Sequence, residues 1–436
     1  LRDNALATEL LRQGHDVTLV PIYTPTRTDE PNVSEEKVLY GGVNVYLQQS
    51  SALFRKTPAL LDRFLDSSFV MKLVSRISVS TDPAELAELT LSTLRGEEGN
   101  QKKEVRKLTE WLSGLARPDV IVLPNSLMIG LAPALRRELQ VPIACTLQGE
   151  DLFLDGLPAE HRRSALALIR SHVPSVERFL AVSDYYAGYM GELLEIPDEK
   201  MSVVPLGINL EGYERAPDTE AADEPVRIGY FARIAPEKGL HNLCEAYRLM
   251  RERMGSRLPA TRLEVAGYLG REHRGYLAKL SKELTKSGLG GEFRYHGVLD
   301  REQKIGFLRS LALASVPTDY VEPKGIFLLE AMACGVPVVQ PRKGAFPEML
   351  ERTGGGRLVE VGSTEALADA LAELVRDRDS RRELGLRAFE GVRKHHSVEL
   401  MAERALAVFR EMATGATDDM SRAEVAREQE QGAYAN

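Results

Sequence analysis

The chain has 436 residues, too long for one ordinary core and suited to two domains of about 200 residues each. Its 64 acidic against 56 basic residues give a formal charge of −8, which argues against a nucleic-acid binder, and the 43% hydrophobic content is that of a soluble globular protein. Three scattered cysteines without metal-ligand spacing, no apolar run near the roughly 20 residues of a membrane span and no opening signal peptide predict a cytoplasmic enzyme.

The chain begins directly in a helical pattern, Leu6, Leu10 and Leu11, followed by a strand-like run at 17–20. An α/β domain normally opens with a strand and a glycine-rich turn, so the first strand and its loop are expected to be missing. The polar loop 24–32 follows, with Arg27, Asp29 and Glu30 as candidate acceptor contacts, and Gly41-Gly42 reads as a turn. A helical insertion spans about 55–116; its last helix lines up Val105, Leu108, Leu112 and Leu115, with Trp111 beside them in a core role. Strands are predicted at 120–123, 143–147, 179–182 and 202–204.

A segment rich in Glu, Asp, Ala and Pro closes at Pro225 and reads as a linker. A second series of strands is predicted at 226–231, 263–266, 293–296, 312–316, 337–340 and 358–359. Helices follow at 363–376, 379–394 and 397–413. The alternation of strand and helix implies an α/β fold of two doubly wound, Rossmann-like domains. The first covers 1–206, the linker 207–225 and the second 226–396; the helix 397–413 is expected to pack back toward the first domain, and 414–436 to be a disordered tail. Ligands in such sheets bind beyond the carboxyl ends of the strands, and the cleft between two such domains is the expected active site.

Two segments carry chemistry. In EPKGIFLLEAMACGVPVV, Glu322 and Glu330 stand eight positions apart, the first in a loop and the second in a helix that starts near Ile326. That helix start, Gly325-Ile326-Phe327, offers backbone N–H groups and the positive dipole end, which suit a diphosphate. Carboxylates beside it can accept hydrogen bonds from sugar hydroxyls, although spacing alone fits equally a loop and a helix glutamate without ligand. In GYFARIAPEKG, Arg233 and Lys238 follow a strand end, where two cations can neutralise phosphates; taken alone they also fit solvated surface positions.

Together these segments resemble the retaining, family-4 glycosyltransferases of GT-B fold, which include sucrose-phosphate synthases and many bacterial mannosyl- and glucosyltransferases. The resemblance rests on Glu322, Glu330 and Gly335-Val336-Pro337-Val338, on Arg233, Lys238 and Gly239, and on Val265-Ala266-Gly267, His296-Gly297 and Gly344–Glu348 in the same order. It covers about 100–413. It implies transfer of a sugar from a nucleotide-diphosphate donor with retention, a first domain on the acceptor side, and no cofactor or required metal. Arg233 and Lys238 would hold the diphosphate, Glu322 the transferred sugar, Glu330 the ribose, the amides of Gly325, Ile326 and Phe327 the phosphate oxygens, and Gly297 and Val298 the base.

One departure concerns Gln148, which stands where the family commonly has a histidine. Glutamine hydrogen-bonds but does not titrate, so a histidine contact at the reacting sugar is in doubt. Nearby Glu150 and Asp151 either compensate or cap the next segment. Two other readings follow, a nucleotide-sugar-binding protein without catalysis and a sugar-nucleotide epimerase on the same fold. The acceptor, whether saccharide, lipid-linked or small molecule, is not specified by these motifs, and a peripheral membrane contact is compatible with them but not indicated.

Overall fold

The computed structural model describes residues 2–23, 26, 28–36, 38, 83–215 and 225–433. Arg27, Gly41, Gly42, 216–224 of the linker and 55–82 of the insertion lie outside these residues. The chain divides into two units, one comprising Asp3–Val204 with Ala402–Asn436 and the other Pro205–Met401.

In the first unit a parallel sheet runs in the order β1 (Ile121–Leu123), β2 (Ile143–Leu147), β3 (Arg178–Ala181), β4 (Met201–Val203). Every residue of β2 is buried, as a strand covered on both faces requires, which is why its run IACTL is apolar but for Thr146. The helices Pro83–Leu94, Lys102–Ser113 and Ala159–His172 supply Leu91, Leu94, Val105, Leu108 and Ile169 to the same core, with Trp111 packed against it. The strand predicted at 17–20 is reduced to one bridge, Leu19 to Ser34, because its neighbours find no second ladder partner among the described residues.

The second unit holds six parallel strands in the order β10-β9-β8-β5-β6-β7. They are β5 (Val226–Phe231), β6 (Thr261–Ala266), β7 (Phe293–Tyr295), β8 (Leu313–Ala314), β9 (Val338–Pro341) and β10 (Gly356–Val359). Strand order advances outward from β5 through β6 to β7, then returns to the other side of β5 with β8. The point of reversal therefore lies between β5 and β8. Strand β8, Leu313–Ala314, is shorter than the predicted 312–316.

The last helix runs Val398–Ala433, well past the predicted end at 413. Composition alone assigns 414–436 to a tail, but 417–433 is rich in Ala, Glu and Arg, all strong helix formers. His396 is buried, with Nδ1 2.9 Å from the Leu206 carbonyl. No helix of the described residues is long and apolar enough to cross a membrane.

Candidate functional site

The crevice beyond the carboxyl ends of β5 and β8 is where a doubly wound sheet offers space to a ligand. The loop leaving β5 ends in a tight turn, Pro236–Lys238, whose backbone is held by Tyr230: its hydroxyl lies 3.2 Å from the Arg233 carbonyl and 3.4 Å from that of Lys238. Gly239 has φ +71°, and a Cβ there would stand 1.8 Å from the Pro317 carbonyl oxygen, so only glycine lets the loops after β5 and β8 approach so closely. Asn242 and the amide of Asp319 fasten the contact, the former donating to Asp319 Oδ1 at 2.6 Å and the latter to the Glu237 carbonyl at 2.9 Å.

Between these loops lies a compact polar cluster. Lys238 Nζ donates to Tyr320 Oη at 2.6 Å and to Glu322 Oε2 at 2.7 Å, and the Tyr320 hydroxyl donates to the same carboxylate oxygen. The ammonium also lies 4.7 Å from the Tyr320 ring centre and 5.2 Å from that of Phe327. Glu322 Oε1 accepts from the amide of Gly325 at 3.2 Å. The Glu322 side chain is 2% exposed. Burial pushes its carboxyl upward, but the charge and hydrogen bond of Lys238, with those of Tyr320 and Gly325, outweigh that and hold it below its ordinary value. A carboxyl depressed in this way adds stability above its unfolded pKa and loses it as pH falls through the folded one, on the acid side of the ordinary carboxylate range. Arg233 is half exposed and pairs with Glu237 at 2.5 Å.

The loop after β9 supports Glu322 from behind. Gly344 (φ +60°) brings its backbone so near that a Cβ would lie 2.4 Å from the Glu322 carbonyl oxygen, which accepts from the Ala345 amide at 2.9 Å. Gly325 takes the left-handed conformation (φ +58°) that opens the helix Ile326–Ala333. Its own amide is already engaged by Glu322, whereas those of Ile326 and Phe327 have no partner among the described residues. The sequence reading offered all three to phosphate; the geometry leaves two.

Within that helix Glu330 is buried, and its Oε1 accepts from Lys304 Nζ at 2.6 Å and from the Tyr213 hydroxyl at 3.1 Å. Burial, then the Glu330 charge, drives the Tyr213 hydroxyl strongly upward and keeps it a donor. Gly297 (φ +81°) and Val298 lie beyond β7, joined to the end of β6 by the bond from the Gly267 amide to the Gly297 carbonyl at 2.9 Å. Val298 and Tyr268 on these adjoining loops are 67% and 60% exposed, an apolar shelf on the β6–β7 flank.

Residues 148–151 of the first unit form a separate network. Gln148 Nε2 donates to the Pro124 carbonyl at 2.7 Å and to Asp3 at 3.2 Å. Glu150 is saturated: Oε1 accepts from the amide and hydroxyl of Ser126, and Oε2 from the Gln148 amide and the Tyr186 hydroxyl. Asp151 Oδ1 lies 2.8 Å from Tyr186 Oη. Burial raises the Asp151 carboxyl and the Glu150 charge adds to this, against the opposing Tyr186 bond. Among the described residues no group of three or more His, Cys, Asp or Glu is placed to hold a metal ion.

Sequence reasoning missed Tyr320, Lys304 and Tyr213. Tyr320 lies two residues from Glu322 and could have been noticed as an aromatic donor in the same loop. Lys304 and Tyr213 come from remote segments, and nothing in their spacing indicates Glu330 as their partner.

The family described as Glycosyl transferase 4-like domain matches residues 4–207, and that described as Glycosyl transferases group 1 matches residues 214–390. The chain is 26% identical over 428 residues to the D-inositol 3-phosphate glycosyltransferase of Kribbella flavida, covering 90% of this chain and 95% of the relative. It is 31% identical over 194 residues to the lipopolysaccharide core biosynthesis glycosyltransferase LpsE of Rhizobium meliloti, 44% of this chain and 52% of that one. Among solved structures, sucrose-phosphate synthase from Thermosynechococcus elongatus superposes with a TM-score of 0.66 at 17% identity, covering 94% of this chain and 92% of the other. Anabaena HepE in complex with UDP-glucose gives 0.60 at 18% identity, covering 90% and 99%. These neighbours share the GT-B fold, as the order of motifs leads one to expect.

Proposed function

This chain belongs to the group 1 glycosyltransferases, retaining enzymes that use nucleotide-sugar donors, and from that premise we propose that the crevice between β5 and β8 is its donor site. The observation that carries the proposal is the convergence of Lys238, Tyr320 and Glu322 on the point where strand order reverses. Lys238 and Arg233 receive the diphosphate, with the Ile326 and Phe327 amides taking further phosphate oxygens at the helix start. Charge gathers on the leaving diphosphate as the glycosidic bond breaks, so these groups act chiefly on the transition state. Glu322, ionised and held by Lys238, accepts from hydroxyls of the transferred sugar. Glu330 accepts from the ribose, and the shelf at Gly297, Val298 and Tyr268 supports the base. HepE was solved with UDP and with UDP-glucose, which makes UDP the first nucleotide to test.

On the acceptor side the side-chain oxygens of Gln148 and Asp151 that take no hydrogen bond among the described residues are the contacts proposed, with Glu150 serving as an internal brace for its loop. The K. flavida relative is named for D-inositol 3-phosphate, which makes that compound the first acceptor to test.

Calorimetry separates the two donor-site glutamates. Glu330→Ala should weaken binding of a bare nucleoside diphosphate by about tenfold or more, the loss of a charged acceptor for hydroxyl donors. Glu322→Ala should leave that affinity nearly intact while sharply lowering transfer. Equal losses of nucleotide affinity in both variants would overturn this division of roles.

A further inference from the structure

Glu330 is 7% exposed on a helix whose other residues are apolar, and a buried carboxylate there needs partners to hold it in place. Lys304 supplies the charged one. Its ammonium is itself buried, with 5% of the side chain exposed, and lies 2.6 Å from Glu330 Oε1.

The position of Lys304 is fixed from its own helix. Asp300 caps the helix Arg301–Arg309 with a reciprocal capping box through Gln303, which sets the first turn and places Lys304 on the face toward Glu330. The same short segment carries Gly297 and Val298 just upstream. Both protein contacts to Glu330 fall on Oε1, from Lys304 and Tyr213, and Oε2 takes none among the described residues. Other charged or titratable groups act at longer range. Arg301 stacks over the Tyr213 ring at 5.4 Å, and Arg309, Arg393 and the buried Cys334 thiol share the surroundings of Glu330.

We propose that Lys304 is the positioning residue of the nucleoside subsite: it holds Oε1 of Glu330 so that Oε2 is oriented to accept from the ribose hydroxyls of the donor. This rests on the assignment of Glu330 to the ribose given above. Lys304 does not touch the nucleotide in this account, and its influence on binding passes entirely through the orientation of Glu330.

The test is calorimetric titration of the full chain at about pH 7.5 with UDP, GDP and ADP, and with the 2′-deoxy form of the one preferred, comparing wild type, Lys304→Met, Lys304→Arg and Glu330→Gln. Wild type and Lys304→Arg should bind the preferred nucleotide alike and lose about tenfold when the 2′-hydroxyl is removed. In Lys304→Met affinity should fall by about tenfold and the preference for the ribose form should largely vanish. Glu330→Gln should bind weakly with the same lost preference, and adding Lys304→Met to it should cause no further loss. Should Lys304→Met fail to fold, Lys304→Gln removes the charge and reads the same preference. If Glu330→Gln weakens binding while the uncharged Lys304 variant keeps wild-type affinity and preference, the positioning role is wrong although the ribose assignment stands. If Glu330→Gln binds as wild type does, or no nucleotide binds, the ribose assignment itself fails and this inference with it.

Discussion

Lys238→Ala should lower kcat/KM for transfer by about 10²–10³, equivalent to roughly 2.7–4 kcal/mol, the range found when one preorganised donor to a developing negative charge is removed. The Lys238 side chain, 15% exposed, ends in the switch-point crevice with its ammonium close to two aromatic rings, so its position is fixed before any donor arrives. Removing it has a second consequence. Glu322, with 2% of its side chain exposed, would lose its only close cation among the described residues. Breaking one side of such a buried pair typically destabilises by about 3–5 kcal/mol, so the variant should also melt earlier. The two effects separate in Lys238→Met/Glu322→Gln, which leaves no unpaired charge: stability should largely recover and transfer should not. Steady-state kinetics beside thermal denaturation provide the check, and an alanine variant with unchanged kcat/KM would remove Lys238 from the reaction.

Gly239→Ala should be nearly as damaging, although the residue contributes no side chain. The substitution places a methyl group where the Pro317 carbonyl oxygen stands 1.8 Å away, at a φ of +71° that alanine adopts only with strain. Backbone on both sides of the contact must give way, and the loops carrying Lys238 and Glu322 would part. A cost of roughly 3 kcal/mol or more in stability is expected, with a fall in activity like that of Lys238→Ala. Gly188→Ala is the control: that glycine lies within the helix Asp184–Leu194 with nothing within 4 Å of the added carbon, and alanine there should stabilise by up to about 1 kcal/mol. Similar melting and turnover for the two alanine variants would contradict the close approach of the loops.

These expectations show how differently parts of the molecule can be read from sequence. Buried parallel strands announce themselves as short β-branched runs, so β2, β5 and β6 stand close to their predicted positions. Glu322, Glu330, Arg233 and Lys238 are legible because loop chemistry and order along the chain mark them. Their partners are less so. Tyr213 meets Glu330 across 117 positions and Lys238 meets Tyr320 across 82, and no local periodicity encodes such distances. Gln148 shows a use of another kind. Its place at the end of β2 marks it for a ligand, and its side-chain amide also braces Pro124 and Asp3, a role visible only once those residues are placed. The helix beyond residue 413 was hidden for another reason, since a polar stretch rich in Ala, Glu and Arg fits a solvated tail and a solvated helix equally well.

The central claim is that this crevice activates a nucleotide sugar through its own cations and returns the anomeric configuration it received. Proton NMR of the wild-type chain with UDP-α-glucose in excess EDTA tests it most directly, with water as surrogate acceptor. The account predicts release of UDP and the appearance of α-glucose first, ahead of mutarotation. First-formed β-glucose, or turnover that EDTA abolishes, would contradict it.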